Sequence, residues 1–377
     1  MKLLLFLLPA LLLAETPAEV KITQARAAIA KDSSSPEAYN GLALALARRA
    51  RETSNVDYYV QAHAALDQSL QLKPDSFEAQ RLRVWVLLGQ HEFAKAQVLA
   101  RKLNKQMPDD VMTYGLLTDA CVELGDYAEA ENAAQWMLDL RPGNVPGLTR
   151  GAYLRELFGD LDGAVEFLSM AFQRTPQTET EDRAWILVQI AHVKLIKGEV
   201  ANAEKILQQA LTLFPDYHYA LANLAKVRIA QKRYDEAVEL LRKRYQAASH
   251  AENLFDLAEA LQKAGKTEAA SAAFQEFEVK SLAESTKADN SNRELIAYYT
   301  DYAKQPERAL QFAKHESAVR HDAYTLDAYA WALHAVGNDG EARVQIGKAL
   351  AVGMKDPKVL AHASVIRGPE GNQVASR

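Results

Sequence analysis

The sequence predicts an all-α protein: a right-handed superhelical solenoid of stacked helix–turn–helix repeats. Three observations carry this expectation. First, alanine, leucine, glutamate and lysine dominate the 377 residues, and only 17 glycines and 12 prolines interrupt them. Residues of that kind have the strongest helix propensities. Second, Pro74, Pro108, Pro142, Pro176 and Pro215 stand at steps of 34, 34, 34 and 39 residues. Proline ends helices, because it lacks the backbone donor and clashes with the preceding turn. Third, an alanine lies twelve residues ahead of each of these prolines, at Ala62, Ala96, Ala130, Ala164 and Ala203. The ladder then continues without proline through Ala237, Ala270, Ala309 and Ala342. Small side chains at a fixed register mark the points where two packed helices cross closely.

Taken in order, residues 1–14 read as a signal peptide. Met1-Lys2 is a short positive start, Leu3 to Leu13 is apolar apart from its single Pro9, and Ala14 is a small residue for cleavage. An eleven-residue stretch falls short of the roughly 20 apolar residues that span a bilayer. The expectation is therefore export to a periplasm or beyond the cell, with no transmembrane segment after cleavage. The alternative is tethering by an uncleaved signal anchor. Residues 15–35 read as an N-terminal cap containing one helix, Val20 to Ala30. About nine repeats follow, at 36–74, 75–108, 109–142, 143–176, 177–215, 216–249, 250–282, 283–321 and 322–357. A capping helix over 358–366 and a disordered tail over 367–377 complete the chain.

A second ladder lies twelve residues ahead of the first, at Thr118, Ala152, Ala191, Ala225, Ala258, Ala297 and Ala330. Glycine stands five residues before the first ladder at Gly125, Gly159, Gly198, Gly265 and Gly337, where a left-handed residue closes a helix. In this combination of helix, tight turn, helix and proline at a 34-residue period, the chain resembles the tetratricopeptide repeat family from about residue 36 to 357. The resemblance implies a concave surface lined by the first helix of each repeat, and a protein or peptide as the partner. There are departures. The first repeat carries about seven extra residues, assigned to its turn around Arg51 to Asp57. The second has Val84 at its rung and its glycine shifted to Gly89. Excess residues precede the fifth and eighth repeats, and the eighth lacks the glycine and has Pro306 in its turn.

No residue pattern points to catalysis. The nine histidines are scattered, and His315-Glu316 lacks the second histidine of a zinc-protease helix, Val319 standing in its place. No phosphate-cradling loop or nucleophile elbow is present. No cofactor and no metal site is expected. The lone Cys121 forms no intramolecular disulfide and reads as a small core residue. A net charge of −5 disfavours nucleic acid as a partner. Acidic groups such as Asp109-Asp110 sit at helix starts, where they cap free N–H groups.

The expected groove residues follow from the register. The position after each rung gives Trp85, Asp119, Tyr153, His192, Lys226, Glu259, Tyr298 and Trp331. The position one turn earlier adds Arg81 and Phe255, and Tyr219 lies a turn further along. Aromatic anchors with mixed charge suit an extended peptide or a short helix. Tyr153, Tyr219 and Tyr298 are expected to be exposed, and Trp85 and Trp331 to fill space between helices. The function expected is a non-catalytic interaction scaffold of the cell envelope. Small-ligand or glycan binding in an aromatic groove is the alternative, and an enzyme is a more remote one.

Overall fold

The computed structural model describes residues 16–287 and 290–371. The expected signal peptide and residues 372–377 lie outside the described residues. Among the described residues the chain is helical throughout, without strands. Helix α1 (Pro17–Lys31) opens the stack, and nine hairpins follow. They are α2 (Pro36–Thr53) with α3 (Asp57–Leu72), α4 (Phe77–Gly89) with α5 (Phe93–Gln106), and α6 (Val111–Glu123) with α7 (Tyr127–Leu140). Next come α8 (Val145–Leu157) with α9 (Leu161–Arg174), α10 (Thr180–Ile196) with α11 (Val200–Leu213), and α12 (His218–Ala230) with α13 (Tyr234–Ala247). Then follow α14 (Ala251–Lys263) with α15 (Thr267–Glu284), α16 (Asn292–Ala297) with α17 (Pro306–Val319), and α18 (Ala323–Ala335) with α19 (Asp339–Ala351). Helix α20 (Pro357–Gly371) packs on α18 and α19.

Local chemistry sets the helix ends. Ser35, Ser76, Asp110, Asn144 and Asp322 each accept a backbone N–H of the helix they precede, which satisfies donors with no intrahelical partner. Each hairpin is closed by one left-handed residue. Glycine serves at Gly125, Gly159, Gly198, Gly265 and Gly337, with φ between 71° and 81°. Ser54, His91, Lys232 and Lys304 take the same conformation without glycine.

Packing explains the alanine ladder. All nine second-helix rungs, from Ala62 to Ala342, have no accessible surface. Four residues on, Leu66, Leu168, Leu207, Leu241, Phe274 and Ile346 fill the space between hairpins and are buried as well. Each such large side chain contributes about 1.5–3 kcal/mol. Because one hairpin cannot cover its own apolar face, the core is continuous through the stack.

Four expectations are corrected by these helices. The extra residues of the first repeat lengthen α2 to Thr53 instead of forming a long turn. Gly89 is the last residue of α4, and the left-handed position falls on His91. Helix α15 runs to Glu284, past the expected boundary at 282. The chain past 366 continues as helix α20 to Gly371, broken at Gly368, whose φ of 68° is non-helical.

The superhelix closes on itself. Arg51, near the end of α2, ion-pairs with Glu181 at 3.1 Å and Asp182 at 3.4 Å on α10, and its carbonyl lies 2.9 Å from Nε2 of His218 on α12. The α6–α7 turn meets the start of α18: the Ala323 N–H donates to the Tyr127 hydroxyl at 2.8 Å, and Arg320 ion-pairs with Glu123. The α8–α9 turn meets the end of α19, with Gly159 against the Gly353 carbonyl and Gly353 against that of Phe158. These contacts form a seam between successive superhelical turns, and the inner face becomes an enclosed lumen in place of an open groove.

Candidate functional site

The inner face forms a pocket between the first helices of repeats two to four and the start of repeat eight. There a cavity of about 370 Å³ is walled by Trp85, Leu88 and Tyr153 and edged by Arg150, Arg293 and Arg320. Tyr153 keeps 39% of its surface accessible and its hydroxyl makes no hydrogen bond among the described residues. Burial holds its ionisation well above the usual tyrosine range. Burial raises Tyr219 in the same way, and Tyr324 likewise.

Arg320 is the hub where the seam meets the cavity. Its side chain is 8% exposed and bonds Glu123, with Asp322 at 3.6 Å and Glu316 at 3.8 Å. Its guanidinium also lies 4.9 Å from the centre of the Phe93 ring. A buried arginine with several carboxylates is held in place by charge, since removing one partner strands the others. Burial raises the Glu123 carboxyl against the opposing pull of Arg320. At the other end of the seam, burial pushes the His218 imidazole down to about 4. His91, beside the cavity, is pushed down to about 3 by burial, then by Arg320 and Arg293.

The expected groove residues divide. Trp85, Asp119 and Tyr153 line the cavity, with Asp119 2.5 Å from Arg150. His192 lies 3.1 Å from Glu156, Arg81 pairs with Asp110 at 2.7 Å, and Glu259 accepts the Tyr302 hydroxyl at 2.6 Å. Lys226 is exposed. Tyr219, half-buried, packs on His218 with ring centres 3.9 Å apart.

Two expected groove residues, Phe255 and Tyr298, are corrected. Phe255 is 4% exposed and packs on Phe277 and Phe274 in the core. Tyr298 is 8% exposed, because the first helix of repeat eight ends in a π turn, Tyr298–Tyr302. The Ala303 N–H there bonds the Tyr298 carbonyl five residues back. A π turn holds more residues than an α turn and rotates the chain beyond it, so the register of the other repeats fails here. Trp331 is covered by α20: its ring stacks on His362, 4.2 Å away, and its Nε1–H donates to Asp301.

Sequence reasoning missed Arg51, Arg293 and Arg320. Arg293 adjoins a register position and was within its reach. The other two act across the seam, where no local pattern signals them.

Chemically, the lumen offers aromatic faces, guanidiniums and carboxylates that are mostly paired with each other. Cys121 is buried and its thiol is pushed up to about 12, chiefly by burial, so it is a poor nucleophile. Cys121, Asp126 and Glu129 place three metal-capable atoms within 4.8 Å of one another. Arg101 bonds both of those carboxylates and already supplies the positive charge there.

A stack of helical hairpins in register, closed around a lumen, defines a helical-repeat solenoid. The tetratricopeptide repeat profile matches residues 194–244, from the end of α10 into α13. Over that stretch the sequence matches the tetratricopeptide repeat family, and the hairpins on either side repeat the same architecture. No curated protein sequence matches it. Among solved structures it is similar to one in the APC/C hetero-tetramer Cut9-Hcn1, at 14% identity and a TM-score of 0.52, covering 92% of this chain and 58% of that one. It is also similar to the human IFIT1 dimer solved with PPP-AAAA, at 13% identity and a TM-score of 0.53, covering 90% and 96%. At such identities the likeness shows the fold alone.

Proposed function

We propose that this protein is a non-catalytic scaffold of the cell envelope that holds a peptide or protein segment in its lumen. The observation that carries the reading is Tyr153, a large aromatic left accessible inside an otherwise packed interior. Its neighbours Trp85 and Asp119 supply an apolar wall and a charge beside it. An accessible aromatic amid satisfied polar groups is the usual anchor for a bound segment. Export rests on residues 1–14 alone, as a positive start, an apolar run and a small residue.

The test is affinity capture from the envelope fraction with residues 15–377 as bait, beside a folded Tyr153→Ala bait. A protein kept by the first and lost by the second supports lumen binding. Equal retention by both moves the binding surface outside the lumen and contradicts the reading. Fractionation with N-terminal sequencing tests export: a mature chain beginning at Glu15 outside the cytoplasm supports it, and an intact Met1 inside the cell contradicts it.

A further inference from the structure

Three guanidiniums reach the cavity, and two of them are committed. Arg150 holds Asp119 and Arg320 holds Glu123. Arg293, on α16, is different. Its nearest carboxylate is Asp322 at 3.6 Å, beyond hydrogen-bonding distance, and about a third of its side chain is accessible. Asp322 is itself engaged, capping α18 by accepting the N–H groups of Tyr324 and Thr325 and the Thr325 hydroxyl. Among the described residues no hydrogen bond reaches the Arg293 guanidinium. An arginine carries five N–H donors in a planar fork that matches a carboxylate.

Among the described residues the Tyr153 hydroxyl is a further uncommitted donor on the cavity wall, and Trp85 and Leu88 supply apolar surface. The lining therefore has spare donors beside an aromatic wall. Glu123, Glu294, Glu316 and Asp322 all act on Arg293 electrostatically, so the site has no strong positive field. That balance fits one carboxylate held by directional hydrogen bonds. It does not fit a phosphate chain, which needs several cations in a row.

We propose that the cavity is a carboxylate-binding subsite, with Arg293 receiving an acidic side chain or a C-terminal carboxylate and the adjacent apolar residue lying against Trp85 and Tyr153. The proposal rests on the lumen-binding reading and names the chemistry of its ligand.

Fluorescence anisotropy with residues 15–377 and labelled hexapeptides tests it. The peptides carry a central Phe-Glu, Phe-Gln or Phe-Lys pair and an amidated end, and a fourth carries Phe-Gln with a free C-terminal carboxylate. The Phe-Glu peptide is expected to bind at least about tenfold tighter than its amidated Phe-Gln counterpart, the margin of a charge-assisted hydrogen bond. Tight binding of the fourth peptide instead identifies a chain terminus as the source. Arg293→Gln should abolish the difference at an unchanged melting temperature, and Arg293→Lys should retain part of it.

Equal binding of all four peptides, lost on Tyr153→Ala, overturns the carboxylate site and leaves lumen binding standing. Preference for Phe-Lys, tighter binding of a single-stranded octanucleotide, or a difference that survives Arg293→Gln also overturns it. Binding of none of the four overturns the site as drawn, while envelope capture tests the broader reading separately.

Discussion

The turns of repeats three and four and those of repeats five, seven and nine use the same device for different ends. All five close on a glycine with φ between 71° and 81°. At Gly198, Gly265 and Gly337 a β-carbon would meet nothing within 4 Å. There glycine answers only the left-handed backbone. At Gly125 and Gly159 a β-carbon would lie well inside 3.0 Å of a carbonyl oxygen, that of His321 or Gly353. There glycine also admits a stretch of chain from the next superhelical turn. One local signature thus marks both a hairpin and, in two places, a long-range contact.

The comparison can be broken at several points, and the largest effect is expected at the hub. Arg320→Ala strips a buried cation from Glu123 and Glu316 and should cost about 3–5 kcal/mol, read by denaturant unfolding at pH 7. A loss under about 1 kcal/mol would mean the seam contributes little.

Gly125→Ala comes next. A left-handed alanine costs about 1–2 kcal/mol, and the clash with His321 adds about 1–3 kcal/mol. Gly265→Ala should show the backbone part alone. Equal losses for the two variants would erase the distinction between seam turns and free turns.

Acid should weaken the seam through His218. In the fold this imidazole stays neutral down to about pH 4, whereas in the unfolded chain it takes up a proton near 6.5. The unfolded state therefore binds the extra proton between those values. Stability is complete above pH 6.5 and drains away as pH falls towards 4, by on the order of 3 kcal/mol. Burial raises the carboxyls of Glu123 and Glu181, which gives a slope of opposite sign. The informative quantity is thus the difference between wild type and His218→Gln across pH 7, 5.5 and 4. A pH profile unchanged by that substitution would contradict the assignment.

The smallest effect on stability is expected at Tyr153→Ala, under about 1 kcal/mol for a partly accessible ring, together with loss of the captured partner. A large fall in melting temperature would make Tyr153 a core residue.

The fold was legible because it repeats. An alanine at one register, nine times over, reports a close crossing, and each of these alanines is fully buried. The site was legible only where the register held. Asp119 and Tyr153 follow their rungs onto the cavity wall. Tyr298 does not, because a single π turn displaces it, and nothing in Tyr298-Tyr299-Thr300 announces one. The seam was not legible at all. Glu123 and Arg320 are 197 residues apart, and each alone looks like one more charge at a helix end. Such pairs depend on how much the stack rotates per repeat, a sum of many small packing choices that no short pattern encodes.

The most direct test of the closed superhelix is a distance across the seam. Cysteines placed at the exposed positions Ala128 and Ala318 would carry spin labels, while the buried Cys121 stays unlabelled. Pulsed dipolar spectroscopy should give one short, narrow distance in the wild-type background, and a longer, broader one with Arg320→Ala. A long, broad distribution without that substitution would mean that the turns do not meet, and that the inner face is an open groove.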